Sequence, residues 1–282
     1  MPRPHEPRRS TAALVVALSV LATGCAASAT ALEAQPTAQH RPTAQHRPTA
    51  QHRPVARPAA PVPQTTFASP HGLPITVKEI APDAQPADLQ VVTLFNAASH
   101  QAFTGSMTEL DKRLGGTLGS VRGRGQFRAT ALETLVLTPP PGALAARRLL
   151  IVGLGDARRA SLRLLADVGA VVAREAVRMR AATVSFAPTL RDQNFSRLGT
   201  DQVAAAVMGG AILAYDTEAR LQRQGLAPCF ALKHWYYEAG AAYYSGVVAA
   251  VGPAVKAASA TVGRRSAAPF GTTGPTAGGC RT

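Results

Sequence analysis

Residues 147–159, RRLLIVGLGDARR, place a run of apolar side chains between arginines and close it with Gly-Leu-Gly. A continuous apolar run of this length suits a central strand covered on both faces. Similar short segments recur: ITVKEI (75–80) alternates apolar and polar residues, LQVVTLF (89–95) is β-rich, ETLVLTP (133–139) stops at prolines, and ATVSFAP (182–188) repeats the pattern. Between them the period changes to that of a helix. Met107, Leu110, Leu114, Leu118 and Val121 fall at helical spacing, weakened by Gly115 and Gly116. Leu162, Leu165, Val168, Val172 and Ala176 line one face of a helix over 160–180, with Arg163, Asp167, Arg174 and Arg178 opposite. Thr200 reads as the N-cap of DQVAAAVMGGAILAY, whose small residues imply close packing against a sheet. Strands alternating with helices predict an α/β layered domain over residues 67–226.

Beyond Pro228 the pattern changes. FALKHWYYEAGAAYYSGVVAAVGPAVKAASATV holds the only tryptophan and four of the five tyrosines. Trp235, Tyr236, Ala239, Tyr243, Val247 and Val251 would share one helical face, which predicts a helical extension over 227–263 folded back as a cap with Trp235 buried. Gly252-Pro253 should interrupt it. From Arg264 to Thr282 the chain is rich in Gly, Pro and Thr, and a disordered tail is expected there.

The N-terminal third reads differently. Arg3, Arg8 and Arg9 precede TAALVVALSVLATG, too short for a mature transmembrane helix but suited to a signal-peptide core over 1–24. It ends in LATGC, which resembles the bacterial lipobox, so Cys25 is the expected lipid attachment point. Acyl chains there would hold the protein at a membrane surface, as an envelope lipoprotein facing periplasm or exterior. PTAQHR then occurs three times in tandem, at 36–41, 42–47 and 48–53. A proline every sixth residue without large apolar side chains cannot build a core, so 25–66 reads as a linker. His40, His46 and His52 recur in it at equal spacing, as slippage of a repeat would leave them.

Composition adds little. The net charge is +14, falling to +12 once residues 1–24 are removed, but only four of the 30 basic residues are lysine. No run of five basic residues and no basic stripe interleaved with aromatics supports nucleic-acid binding. In an oxidising envelope Cys229 and Cys280 could pair, although the Gly-rich setting of Cys280 argues against it.

Motifs for chemistry are sparse. Gly153 and Gly155 lack the third glycine of a dinucleotide fingerprint, and the next strand lacks its acid. Neither a phosphate-binding loop ending in Gly-Lys nor a G-x-S-x-G elbow occurs, and no Cys/His cluster has metal-ligand spacing. His100 and His234 stand outside any acid–base constellation, and Glu109 and Asp111 face different directions on their helix.

One stretch carries a resemblance. LGGTLGSVRGRGQFRATALETLVLTPPPGALAARRLLIVGLG is similar to the N-terminal domain of the leucyl (cytosol) aminopeptidase family. The correspondence lies at Leu114, Gly115, Gly116, Gly125, Phe127, Glu133, Thr134, Leu135 and Gly153 to Gly155. Gly209, Ala214 and Tyr215 extend it, so that residues 87–220 are covered. Arg128 to Ala131 depart from the family's glycines, and DTEAR departs from its usual exit segment. The resemblance implies a three-layer, macro-domain-like mixed sheet flanked by helices. It also implies peptidase chemistry in a larger C-terminal domain that holds two divalent metals, manganese or zinc. Only 62 residues follow Arg220, with Glu238 their single carboxylate, so no catalytic or metal-binding residue can be carried over and no cofactor is expected on this chain.

Three readings follow. The first is a non-catalytic, lipid-anchored scaffold that binds a second copy or a separate partner. The second is a macro-like module for a nucleotide-like or other anionic ligand at the sheet's C-terminal edge, with Gly153, Leu154 and Gly155 as the candidate anion-binding turn. The third is an accessory part of a metalloaminopeptidase whose catalytic domain is on another chain.

Overall fold

The structure is a computed structural model, and it describes residues 61–97, 102–265 and 280. The expected signal segment, Cys25, the PTAQHR repeats, His100 and residues 266–279 lie outside the described residues. Seven strands form one mixed sheet in the order β1-β2-β7-β6-β3-β5-β4. They are β1 Gln64–Ala68, β2 Pro74–Glu79, β3 Leu89–Phe95, β4 Thr134–Leu137, β5 Leu149–Gly155, β6 Thr183–Ala187 and β7 His234–Ala239. The five inner strands run parallel, and β1 and β4 close the two edges antiparallel. The helices are α1 Gly105–Arg113, α2 Thr117–Gly123, α3 Leu162–Arg178, α4 Thr200–Arg223 and α5 Tyr244–Arg264.

Two apolar layers flank the sheet. On one face Val91, Val152, Phe186, Trp235 and Tyr237 pack against α3, α4 and α5. On the other, Val92, Leu94, Leu149 and Ile151 meet Met107, Leu110 and Leu118 of α1 and α2. Burial on both faces explains the unbroken apolar character of β3 and β5. The architecture is the expected three-layer one.

The small residues of α3 and α4 are set by proximity. A Cβ on Gly169 would overlap Val207 O, and one on Gly210 would overlap Ala166 O, so each helix lays its backbone on the other. Either substitution would force the pair apart.

Several expectations are corrected. Residues 234–239 belong to a strand, not to a helical extension. In HWYYEA, Trp235 and Tyr237 fall on one face and Tyr236 and Glu238 on the other, a period of two, and the gap between β2 and β6 accepts that strand. Trp235 is fully buried, as the cap required, but within the sheet's own core. The helical part begins only at Tyr244 and continues through Pro253 without interruption. Val247, Val251, Val255 and Ala258 are buried from it, and this packing outweighs the cost of about 3 kcal/mol that a proline's missing N–H and ring clash impose inside a helix. Thr200 is the first residue of α4, and Gly199 occupies the N-cap. The helix expected from Ser106 is split at Gly115–Gly116, where Asp111 Oδ1 accepts from Leu118 N at 2.8 Å and caps α2. Among the described residues the first strand begins at Gln64, before Phe67.

The tail expected to lack structure from Arg264 is held at two described points. Arg265 bonds Asp216, and Cys280 forms a disulfide with Cys229.

Candidate functional site

The order of the strands creates a crevice. After β3 the chain passes through α1 and α2 towards β5 on one side, whereas after β6 it passes through α4 to β7 on the other. Where connections from neighbouring strands diverge, the space beyond their C-terminal ends is left open. Next to it, at the C-terminal ends of β2, β7 and β6, lies a cavity of about 470 Å³, bounded by Glu79 of β2, Ala187 of β6, Tyr237 to Ala239 of β7, and the segments that follow them. Thr200 and Val203 of α4, Val247 of α5 and Ser106 of α1 complete its walls.

The wall after β6 is built rigidly. Buried Gln193 donates from Nε2 to Thr93 O and Thr189 O at 2.9 and 3.1 Å, and its Oε1 accepts from Phe95 N at 2.9 Å. Thr189 Oγ1 donates to Thr93 O, and Thr93 Oγ1 donates to Pro188 O. The loop after β6 is thus fastened to the end of β3. Asp192 faces α1, its Oδ1 accepting from Ser106 N and its backbone O from Thr104 N. Arg191 donates to Phe195 O and Leu198 O, and its guanidinium lies 5.9 Å from the Tyr243 ring centre.

Two side chains of the lining, Tyr237 and Glu79, make no side-chain hydrogen bond or ion pair among the described residues. Tyr237 is 1% exposed, and its hydroxyl makes no hydrogen bond. Burial raises its pKa, so the hydroxyl stays protonated and is a donor. The α4 N-terminus has Gly199 at its cap and the Asp201 carboxylate in its first turn, with Oδ1 close against Gly199. Glu79 lines the cavity, and no hydrogen bond or ion pair of its carboxylate is observed.

The remaining carboxylate, Glu238, points elsewhere. It accepts from Ser185 Oγ on the opposite face of the sheet, beside Gln90. Burial pushes its pKa up to about 7, helped by the charge of Asp83, while the hydrogen bonds of Ser185 and Gln90 oppose the rise. His234, beside it on that face, bonds Thr76 Oγ1 at 2.8 Å and stacks on Tyr236.

The expected anion-binding turn lies apart from this cavity. Gly153 N donates to Glu133 O and Gly155 N to Ala129 O, both at 2.8 Å. The segment 129–133 lies directly on Gly153, where a Cβ would overlap Thr130 O. Gly153, Leu154 and Gly155 are therefore a strand end under a covering loop, and the N–H groups of both glycines are already used. Sequence reasoning singled out the C-terminal edge of the sheet, where this cavity also opens, but did not single out Tyr237, Glu79 or Arg191. An alternating reading of HWYYEA would have separated Tyr237 from its neighbours.

Residues 91–223 match the family model for the cytosol aminopeptidase family, N-terminal domain. This segment is similar to the N-terminal domain of that family. A probable cytosol aminopeptidase of Thermosynechococcus vestitus is 30% identical over 147 residues, which are 52% of this chain and 28% of that protein. The chain thus spans little more than a quarter of that relative. In three dimensions the protein is similar to the macrodomain of Oceanobacillus iheyensis. A mutant form gives a TM-score of 0.50 at 10% identity, covering 71% of this chain and 97% of the macrodomain. The same macrodomain with ADP gives 0.50 at 9% identity, covering 70% and 100%. At such identities the likeness concerns the fold alone.

The matched segment supplies only part of the cavity. Ser106, Arg191, Thr200 and Val203 fall within the matched residues, whereas Glu79, Tyr237 and Val247 lie outside them, before and after. The flanking β2, β7 and α5 complete both the sheet and the site.

Proposed function

We propose that this protein is a ligand-binding module, carried at the envelope surface by a lipid anchor at Cys25, and not itself a peptidase. The observation that carries this reading is the cavity at the sheet's C-terminal edge, whose wall includes Arg191 with its guanidinium bonded to the carbonyl oxygens of Phe195 and Leu198. A guanidinium bonded only to carbonyl oxygens favours an anionic group, and the apolar walls favour a body attached to it. Nucleotide-like ligands have this chemistry, and the similarity to a macrodomain solved with ADP is consistent with it. A thermal-shift screen with ADP, ADP-ribose and phosphate-bearing cell-wall fragments tests the reading. A ligand at a hundred times its Kd stabilises by about 2.7 kcal/mol, so a rise of several degrees is expected from at least one anion. A flat response to all of them, confirmed by calorimetry, overturns it.

The anchor rests on the arginine-flanked apolar run that ends in LATGC. Labelling with a fatty-acid analogue should mark the wild type and spare Cys25→Ala; equal labelling removes the anchor from the proposal.

The family match supports a second reading, in which this domain scaffolds a metalloaminopeptidase chain or a second copy of itself. Among the described residues no group of three or more His, Cys, Asp or Glu is placed to hold a metal ion. In this reading manganese-dependent hydrolysis of a leucyl substrate would accompany a co-purifying catalytic chain and be absent from this protein alone.

A further inference from the structure

Most polar groups of the cavity wall are spent or turned away. Thr189 Oγ1 donates to Thr93 O, Asp192 Oδ1 accepts from Ser106 N, and Glu238 turns to Ser185 on the far face of the sheet. The Tyr237 hydroxyl is buried beneath the surface of the wall, and the first turn of α4 already holds the Asp201 carboxylate. Arg191 differs. Two of its five N–H donors are bonded, to Phe195 O and Leu198 O, and no carboxylate pairs with it among the described residues. The Tyr243 ring, 5.9 Å from the guanidinium, leaves that charge in place.

The segment that carries Arg191 is fixed. Thr189 has a φ of 52°, a left-handed conformation that a β-branched residue rarely adopts. Such strain persists only where the surroundings over-determine it. Here buried Gln193 does so, through Thr93 O, Thr189 O and Phe95 N, while the two carbonyl bonds hold the guanidinium itself. A cation held in this way loses less freedom when it takes an anion.

Around Arg191 the wall is largely hydrocarbon, with Ile80, Leu190, Leu198, Val203, Ala239 and Val247. The carboxylates of Glu79 and Asp192 belong to the same lining. A first negative charge therefore meets Arg191, whereas a second or third meets repulsion.

Resting on the binding reading above and narrowing it, we infer that the cavity takes an apolar monoacid, with one singly charged acidic head at Arg191 and a hydrocarbon body along the remaining wall. The apolar body and the anion are kept; the several charges of a diphosphate are not. At about 30 Å³ for each water-sized group, 470 Å³ holds a ligand of roughly fifteen non-hydrogen atoms.

The test titrates hexanoate, octanoate, decanoate, octan-1-ol and ADP calorimetrically into wild type and Arg191→Gln. Along the acids, each added methylene should tighten binding about fourfold, the worth of one buried CH₂. Octanoate should bind about tenfold more tightly than octan-1-ol, because only the acid makes charge-assisted hydrogen bonds. ADP should bind more weakly than decanoate, by about tenfold or more. In Arg191→Gln octanoate should fall to the affinity of octan-1-ol, with octan-1-ol unchanged. The comparison of acid with alcohol in wild type does not depend on how the variant folds. ADP bound more tightly than decanoate, with no gain along the acids, overturns the apolar monoacid while the anionic reading stands. Octan-1-ol equal to octanoate in wild type overturns the acidic head at Arg191. Failure of every acid, ADP included, overturns both readings.

Discussion

Arg265 Nη1 lies 2.6 Å from Asp216 Oδ2, joining the residue just after the last helix to the middle of α4. Asp216 has no exposed side-chain surface and also binds Arg220 Nε at 2.9 Å and His71 Nε2 at 2.8 Å. Burial alone would raise its pKa, but the bonds from Arg220, Arg265 and His71 outweigh that and hold it below the usual carboxylate range. One buried carboxylate thus ties the β1–β2 turn, α4 and the end of α5 together. Asp216→Ala removes the anion and leaves three partly exposed basic groups against one another. A loss of about 3 kcal/mol is expected in chemical denaturation. The loss should diminish as pH falls and the carboxyl of the wild type becomes protonated.

The Cys229–Cys280 bond closes a segment of 51 residues that includes β7 and α5. In the chain-entropy account a loop of that size is worth up to about 4 kcal/mol, and 2–4 is common. Cys280→Ser, or reduction of the wild type, should lower the melting temperature by a similar amount, and the two effects should not add. Additive losses would show that reduction acts somewhere else.

Glu238 makes stability depend on pH. Its folded pKa of about 7 stands above the ordinary 4.5, so between these values the unfolded chain releases a proton that the fold retains. The sign follows: stability is highest below about pH 4.5 as far as this group is concerned, and its contribution is lost as pH rises towards 7. Glu238→Gln keeps a neutral acceptor for Ser185 and removes the ionisation. The variant should be more stable than wild type at pH 8, by a few kcal/mol, with the two converging near pH 5. Parallel pH profiles would refute this.

β7 is a central strand, so a chain ending at Gly225 would lose the pairing of both β2 and β6 and expose the site vacated by Trp235. Burying each large aromatic contributes about 2 kcal/mol. The truncated protein should unfold or aggregate, whereas the full chain should show the blue-shifted emission of a buried indole. A soluble truncation with an unchanged melting temperature would contradict the sheet order.

Much of this molecule is determined locally. The apolar runs of β3, β5 and β6 and the 3.6-residue stripe of α3 follow from residues that meet within one element, and the family's short motifs lie in the same stretch. That Glu109 and Asp111 face different directions could be read from sequence alone, because spacing rules on neighbours along a helix. Other features had no local signature. HWYYEA satisfies both periods over so few residues, and only the vacancy between β2 and β6 selects the strand. The persistence of α5 through Pro253 depends on its packing against α4, which offsets a cost that the local sequence can only predict. The disulfide needed Cys280 brought back to Cys229, and Gly153 lost its N–H to a loop twenty residues upstream. The cavity itself is assembled from positions 79, 106, 191, 200 and 237, no two of them in one element. Local sequence sets which face an element buries; long-range pairing of strands sets which ends converge, and the site exists only where they do.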